Sequence, residues 1–236
     1  MNILFEDSQL LVCYKPAGLA VQNRRPGVMD LESEARNHLA ASSPGRIPYL
    51  GIINRLDQPV EGIVLLAKTK EAAAKLTQAL QNGQIQKHYL AVTGKSIPPA
   101  EGRLTDYLLK DKGTNLSRVV SRDTPGARKA ELVYKVLPPD GSVQCDEAAV
   151  QAAEGSLVQI RLITGRHHQI RVQMAHAGMP LLGDLKYGNA ADSPAAEERV
   201  PLALCAYHMV FSHPRTGKEM DFTICPRGAA FKRCCK

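Results

Sequence analysis

Residues 53–67 of the chain read INRLDQPVEGIVLLA, a loop-like stretch that runs into an apolar one. Its second half, residues 61–67, is short and almost wholly apolar, which predicts a buried strand. A turn-forming proline precedes that strand, so Asp57 is predicted to lie on a loop at its start. Loops held by a rigid sheet are where functional polar groups collect. Taken alone, the pattern of Arg55 and Asp57 fits an exposed ion pair equally well. Such a pair contributes about 0–1 kcal/mol to stability.

Outward from this stretch, short strands recur with few helices between them. Thr69 is predicted to cap a helix that ends near Gly83. A second helix is predicted after Asp30, and a third over residues 166–177 with Thr164 as its cap. This pattern predicts an α+β fold with a mixed, largely antiparallel sheet and flanking helices. The strands are predicted at residues 3–5, 10–14, 61–67, 88–93, 131–137, 157–162, 202–211 and 218–224.

Two segments stand outside this pattern. Residues 103–129 are predicted to be loop-rich, and residues 138–155 to form an acidic, alanine-rich insertion. The first segment is basic, with seven Lys and Arg against three Asp. It is either a solvated surface or a flank that binds phosphate groups, and charge alone does not choose between the two. Its basic residues are Arg103, Lys110, Lys112, Arg118, Arg122, Arg128 and Lys129.

The composition is that of a globular protein with a basic surface. The chain has 236 residues, 44% of them hydrophobic, and a net charge of +7, which favours a polyanionic partner. The absence of tryptophan and the 5% content of aromatic residues argue against a stacking platform for single strands. The sequence has no run of roughly 20 apolar residues, no secretory signal and no Cys-x-x-Cys spacing. We therefore expect a cytoplasmic protein with reduced thiols and no membrane segment.

Residues 164–172, TGRHHQIRV, form a second basic cluster at a predicted strand-to-helix turn. Such a turn can hold a phosphate or a carboxylate near the helix N-terminus, and the alternative is a solvated basic turn. The histidines of this region fit no zinc motif, so no metal is predicted. Asp57 and Arg171 lie far apart in the sequence, and spacing alone does not show whether their two segments meet.

Together, five segments in this order resemble the RluA-type family of RNA pseudouridine synthases. The first motif of that family is roughly His-Arg-Leu-Asp followed by a glycine and an apolar strand. The resemblance runs from about residue 3 to residue 226, and five ordered matches are far more specific than any one of them. The segments are residues 15–18 (KPAG), 54–57 with 62–65 (NRLD and GIVL), 87–94 (KHYLAVTG), 164–188 (TGRHHQIRV through to YG) and 213–214 (HP).

The resemblance implies both a fold and a reaction. It implies the pseudouridine synthase fold with a central active-site cleft, in one catalytic domain over residues 1–236 without a separate N-terminal RNA-binding domain. It implies that Asp57 is the catalytic carboxylate, which attacks or assists while the glycosidic bond breaks and the uracil rejoins through carbon 5. Arg171 matches the arginine that pairs with this carboxylate, and Tyr89 matches the tyrosine that contacts the target base.

Further residues match positions that bind the substrate. Arg55 matches a residue implicated in extruding the target nucleotide, a step that costs a few kcal/mol. In the 164–188 segment, Arg166, His168 and Gln169 are the expected substrate-binding residues. The implied partner is ribosomal or transfer RNA, and the protein is expected to act as a monomer. No cofactor is expected, because the isomerisation has no net redox change and no group donor.

Two positions depart from the family pattern. Asn54 stands where the family usually has histidine, and Val60-Glu61 stands where it has small polar residues. Glu61 adds a negative charge near Asp57 and is expected to oppose the ionisation of that carboxyl. These departures leave open a second function, that of a catalytically silent RNA-binding protein with the same fold. A metal hydrolase is a weaker alternative, because the histidine spacing does not fit.

Overall fold

The structure is a computed structural model, and it describes residues 1–23, 27–41, 45, 47–111, 113–145, 148–188 and 200–234. The chain forms two compact units. The first unit consists of Met1–Gln86 and His208–Ile224, and the second consists of Lys87–Tyr207 and Cys225–Lys236. The prediction of one catalytic domain stays a prediction, because a division into compact units does not measure whether the units fold separately.

Strands outnumber helices throughout the part of the chain that the structure describes. The helices are α1 (Leu31–Ala41), α2 (Lys70–Gln81) and α3 (Gln169–His176). The strands are β1 (Asn2–Glu6), β2 (Leu10–Lys15), β3 (Gly51–Ile52), β4 (Glu61–Ala67), β5 (Gln86–Val92), β6 (Ala100–Asp111), β7 (Leu116–Val120), β8 (Arg128–Val136), β9 (Val143–Gln144), β10 (Ala149–Ala152), β11 (Leu157–Leu162), β12 (Leu204–Ser212), β13 (Glu219–Thr223) and β14 (Phe231–Cys234).

The core of the first unit is built on β2 and β4. These strands pair antiparallel, and every residue of both is buried. β1 pairs with the other side of β2, and β3 pairs with the end of β4. The predicted hairpin near the end of the chain is confirmed, because β12 and β13 pair antiparallel from His208 with Thr223 to Ser212 with Glu219. Full burial explains why β4 is a continuous apolar run in the sequence.

Both helices of the first unit begin at the predicted caps. The Ser33 backbone N–H donates to Asp30 Oδ1 at 2.8 Å before α1, and the Ala72 N–H donates to Thr69 Oγ1 at 3.1 Å before α2. These side-chain oxygens satisfy N–H groups that the first turn of a helix leaves unpaired. Gly83 follows α2 with a φ of 71°, a backbone conformation that favours glycine.

In the second unit, five antiparallel strands lie in the order β5-β11-β8-β6-β7. α3 packs against β6 and β7, and its Val172 joins Leu108 and Ala130 in a buried cluster. The prediction that residues 103–129 are loop-rich is wrong, because most of them form β6 and β7. Pairing of β6 with β8 supplies backbone hydrogen bonds between residues distant in sequence, which local composition does not reveal.

The predicted insertion at residues 138–155 contains two short strands. β9 and β10 form a separate three-stranded sheet with β14, in the order β14-β10-β9. The predicted α+β class is confirmed, with a largely antiparallel arrangement of strands. In the described ranges, no helix has both the length and the apolar character needed to cross a bilayer.

Candidate active site

Asp57 lies in the turn that leads into β4, and its side chain is half-buried. Its backbone carbonyl accepts a hydrogen bond from the Val60 N–H at 3.0 Å, which closes the turn. Leu56 and Val60 are buried on either side, whereas Arg55 is exposed. The apolar residues therefore anchor the turn to the core while Arg55 reaches solvent.

Asn54 fastens this turn to β4. Its Nδ2 donates to the Ile63 carbonyl at 3.1 Å, and its Oδ1 accepts from the Leu65 N–H at 2.7 Å. The side chain is buried, and the neighbouring Ile53 N–H also donates to the Leu65 carbonyl at 3.0 Å. The asparagine that replaces the family's usual histidine thus has a structural role, because it satisfies two buried backbone groups.

A buried lysine fastens the other side of the turn. Lys15 is the last residue of β2, and its exposed fraction is 0%. Its Nζ donates to the carbonyls of Pro16 at 3.0 Å, Leu19 at 2.7 Å and Gln58 at 3.1 Å. Gln58 directly follows Asp57, so Lys15 holds the peptide next to the carboxylate. The KPAG segment is recognisable in the sequence, but no sequence pattern predicts the bond from Lys15 to Gln58.

Glu61, the other departure from the family pattern, is also buried. The Tyr14 hydroxyl donates to its Oε2 at 2.6 Å. Burial lowers the pKa of Lys15 from 10.5 to about 8, and the negative charges of Asp57 and Glu61 act in the opposite direction. Glu61 therefore belongs to a buried cluster of charges beside the Asp57 turn.

Tyr89 lies on β5 in the second unit, where it is buried opposite Ile160 of β11. Lys87 is two residues earlier and shares its face of the strand. Lys87 is also buried, and this burial lowers its pKa. A side chain placed at Gly165 would lie 3.4 Å from the Lys87 ammonium. Within this unit, the 87–94 and 164–188 segments therefore come together.

Arg171 is buried on α3 and is held by Asp184. Its Nε donates to Asp184 Oδ2 at 2.8 Å, and its Nη2 donates to Asp184 Oδ1 at 2.6 Å. Asp184 Oδ1 also accepts from the backbone N–H groups of Lys186 and Tyr187. The guanidinium carbon lies 5.2 Å from the centre of the Tyr187 ring. A bidentate pair fixes the plane of the guanidinium as well as its position.

Gly183 lies directly against the backbone of residues 200–201. Its φ is 74°, in the left-handed region, and a side chain there would collide with the backbone carbonyls of Val200 and Pro201. Both observations require glycine at this position. In the Gly-Asp dipeptide of the motif, the glycine is explained by this close backbone contact and the aspartate by its bonds to Arg171.

Gln169 braces the turn before α3. Its Oε1 accepts from the Thr164 hydroxyl at 2.7 Å and from the Arg166 N–H at 2.9 Å, and its Nε2 donates to Gln173 Oε1 at 2.9 Å. Gln169 is buried, whereas the Arg166 side chain is exposed and donates from Nε to the Lys129 carbonyl at 2.9 Å. The substrate-binding roles of both residues stay predictions.

Two histidines stack at the start of α3. The ring centres of His167 and His168 are 3.7 Å apart, His167 Nδ1 is 2.9 Å from Ser117 Oγ, and His168 Nδ1 is 2.7 Å from the Tyr187 hydroxyl. Burial, reinforced by neighbouring positive charges, lowers the pKa of His167 to about 4 and that of His168 to about 3. Both rings are neutral at neutral pH. The predicted cap at Thr164 is wrong, because His168, with a φ of 53°, occupies the N-cap position.

No metal centre emerges from the described residues, among which no group of three or more His, Cys, Asp or Glu side chains is arranged to hold a metal ion. The geometry instead consists of a braced carboxylate turn in the first unit and, in the second, an arginine locked to an aspartate.

The sequence matches the family described as RNA pseudouridylate synthase over residues 9–176. The chain belongs to this family. The resemblance based on five motifs is thereby confirmed.

Relatives within the family carry more specific names. The chain is 34% identical over 233 residues to "Ribosomal large subunit pseudouridine synthase D" of Vibrio vulnificus, covering 94% of this chain and 66% of the relative. It is 32% identical to the enzyme of that name from Neisseria meningitidis serogroup A, covering 94% and 57%. It is 30% identical to "Ribosomal large subunit pseudouridine synthase C" of Buchnera aphidicola, covering 98% and 68%. The chain spans about two thirds or less of the length of most of these relatives.

Two solved structures share the fold. "Human RNA Pseudouridylate Synthase Domain Containing 4" has a TM-score of 0.71 at 23% identity, covering 96% of this chain and 89% of that one. "Human RNA Pseudouridylate Synthase Domain Containing 1" has a TM-score of 0.72 at 18% identity, covering 99% and 89%. The predicted pseudouridine synthase fold is confirmed.

Proposed function

We propose that the protein isomerises uridine to pseudouridine in RNA and that Asp57 is its catalytic carboxylate. The observation that carries this proposal is the family match over residues 9–176, a range that includes Asp57, Tyr89 and Arg171. The brace on the Asp57 turn supports the assignment. Asn54 bonds the turn to β4 and Lys15 bonds the next peptide, so the backbone that carries the carboxylate is held in place.

The proposed reaction breaks the bond between N1 of uracil and C1′ of the ribose and forms a bond between C5 and C1′. The hydrogen on C5 leaves as a proton, and N1 gains a proton, so there is no net redox change and no need for a cofactor. Asp57 must be ionised to attack or to assist, and a guanidinium favours that form. We assign Arg171 this pairing role and Tyr89 the contact with the target base, as the family resemblance implies.

We propose large-subunit ribosomal RNA as the substrate, because the relatives are named as ribosomal large subunit enzymes. Transfer RNA is the alternative. Arg55 and Arg166 are exposed, which supports direct contact with RNA. His168 and Gln169 are buried and hydrogen-bonded, which supports a role in holding the turn that carries Arg166. We further propose that the protein acts as a monomer in the cytoplasm.

The test is release of tritium from RNA labelled at carbon 5 of uridine. Asp57→Asn keeps the shape of the side chain but removes its charge, so its rate should fall to background while RNA binding stays within about twofold. The control is Asp221→Asn, a matched change on β13 at an exposed carboxylate, which should retain full rate. An Asp57→Asn variant as fast as the wild type would overturn the assignment.

The substrate is tested by mapping pseudouridines in RNA from cells with and without the gene. Loss of a pseudouridine from large-subunit ribosomal RNA is expected. Loss confined to transfer RNA would identify transfer RNA as the substrate instead. Binding of RNA without any tritium release by the wild type would instead favour the catalytically silent protein. Light scattering of the purified protein measures its molar mass in solution and so tests the proposed monomer.

A further inference from the structure

The ammonium group of Lys15 has a contact geometry that depends on its charge. A protonated lysine offers three N–H donors, and here three backbone carbonyls accept them, those of Pro16, Leu19 and Gln58. A neutral amine has only two N–H donors, so one of these carbonyls would lose its bond. The lysine side chain is fully buried, so its nitrogen depends on these protein acceptors and not on water. All three bonds of Lys15 can therefore form together only while the nitrogen is protonated.

These bonds matter for the reacting carboxylate, because one of the three accepting carbonyls belongs to Gln58, the residue after Asp57. The Gln58 carbonyl accepts from Lys15 Nζ at 3.1 Å and from the Gly18 N–H at 2.8 Å, and Gln58 Nε2 returns a bond to the Gly18 carbonyl at 2.9 Å. The loop after β2 and the Asp57 turn are thereby clamped together. Loss of the Lys15 bond would loosen the clamp at the residue adjacent to Asp57.

A buried cation also needs a nearby negative charge, since taking an isolated ion out of water costs several kcal/mol. The three direct partners of Lys15 are neutral carbonyls. The negative charges that act on it are Asp57 in the turn and Glu61 at the start of β4. The β2–β4 register pairs Lys15 with Gly62, so Glu61 lies one residue from the position opposite Lys15.

Glu61 is held in place by its neighbour on the adjacent strand. It is 4% exposed, and the hydroxyl of Tyr14 donates to its Oε2 at 2.6 Å. This short bond fixes the position of the carboxylate. Tyr14 is the neighbour of Lys15 on β2, so Tyr14, Lys15 and Glu61 form one buried group on two paired strands.

We propose that Glu61 is a positioning residue for Asp57: with Tyr14, it keeps Lys15 protonated, and the protonated Lys15 holds the turn that carries the carboxylate. This inference rests on the proposed function, because it takes Asp57 to be the reacting group. It gives the departure at Glu61 a role different from the one expected from the sequence. Glu61 acts on Lys15, which holds the Asp57 turn. It therefore supports the position of Asp57 instead of opposing the reaction.

The test is the pH profile of the single-turnover rate at saturating RNA, measured for wild type and Glu61→Gln. Glutamine keeps the shape and still accepts the Tyr14 hydrogen bond, but it lacks the charge that favours protonated Lys15. The pKa of Lys15 should then fall further below about 8, and a cation is lost as pH rises through its pKa. The basic limb of the profile should therefore move to lower pH. For a displacement of about one unit, the rate above both midpoints falls about tenfold.

At pH 6.5 the same variant should be within about twofold of wild type, because Lys15 remains protonated there. Tyr14→Phe should move the basic limb in the same direction by a smaller amount. Glu71→Gln, which removes an exposed carboxylate on α2 paired with Lys75, is the matched control and should leave the profile unchanged. The RNA dissociation constant should be the same in all of these variants.

Lys15→Met identifies the titrating group. This variant should be slow at every pH and should lack the displaced limb, and adding Glu61→Gln to it should have no further pH-dependent effect. A basic limb of Glu61→Gln that superimposes on that of wild type overturns the inference, and so does a uniform loss of rate without displacement, which would indicate structural support alone. If Glu61→Gln does not fold, Tyr14→Phe decides by the same criterion. An active Asp57→Asn variant would instead refute the proposed function.

Discussion

Arg171 and Asp184 are joined by two charge-assisted hydrogen bonds of 2.8 and 2.6 Å, and both side chains are buried. The aspartate is oriented in turn by the N–H groups of Lys186 and Tyr187, which donate to the same oxygen. A buried ion pair of this geometry contributes orientation more reliably than stability, because desolvation offsets much of the attraction. The guanidinium is thus held in place before any substrate arrives.

Arg171→Lys should lower the single-turnover rate at least about a hundredfold, because an ammonium cannot reproduce the two parallel bonds that set the plane of the side chain. The rate is measured by tritium release at saturating RNA. Arg161→Lys, at an exposed position on β11, is the control and should retain full rate. Near-full activity of Arg171→Lys would show that bidentate orientation is not the role of this arginine.

Asn54→Ala should destabilise the first unit by about 2 kcal/mol, because it leaves two buried backbone groups of β4 without their partner. The rate should also fall, since the turn that carries Asp57 loses one of its two anchors. The free energy of unfolding is measured by urea titration. Gln81→Ala, exposed at the end of α2, should change neither quantity, and an Asn54→Ala variant of unchanged stability would contradict the bracing role.

The protein should lose stability on acidification below about pH 6.5. The folded-state pKa values of His167 and His168 are about 4 and about 3, below the ordinary value of 6.5, so the unfolded chain binds more protons in this range. Stability therefore rises with pH from about 3 to 6.5 and is lost as pH falls through that window. Allowing for partial exposure, we expect a loss on the order of 2 kcal/mol.

His168→Asn provides the check on this acid effect. Asparagine tolerates the left-handed backbone at this position, so the variant removes a titrating group without adding strain. Its melting temperature should fall less between pH 6.5 and 4.5 than that of wild type. His176→Asn, at an exposed histidine of α3, should follow the wild-type curve. Parallel curves for all three proteins would exclude His168 as the source.

RNA binding should weaken steeply with added salt, and part of that dependence should come from the basic stretch 103–129. Arg103 and Lys129 are paired with Glu131, whereas Lys110, Arg118 and Arg122 are exposed. Changing Lys110, Lys112, Arg118 and Arg122 to glutamine should raise the dissociation constant and flatten the salt slope by about 2 to 3. Lys112 lies outside the described residues. The single-turnover rate at saturating RNA should change little.

The control for the salt experiment removes four exposed charges from the first unit, at Lys70, Lys75, Arg215 and Lys218. If that variant and the 103–129 variant have the same slope as wild type, the basic stretch is a solvated surface. If both flatten the slope equally, the effect reflects net charge and not a defined flank.

Local patterns predicted the elements that depend on local physics. The apolar run of β4, the caps at Asp30 and Thr69, and the glycine after α2 were all recognisable, because burial, capping and left-handed turns each require particular residues at particular positions. Strands β6 and β7 were missed. Both strands are only partly buried, and their hydrogen bonds go to β8 and to each other.

By itself, the sequence determined the family, the fold class and the candidates Asp57, Tyr89 and Arg171, because these follow from ordered motifs that can be compared residue by residue. Only the tertiary structure decided how the candidates are held. The bond from Arg171 to Asp184, the anchoring of Gln58 by Lys15 and the burial of Glu61 against Tyr14 join residues with no fixed spacing. Such contacts arise where strands and turns meet in space, and their strength depends on burial, which a linear sequence does not record.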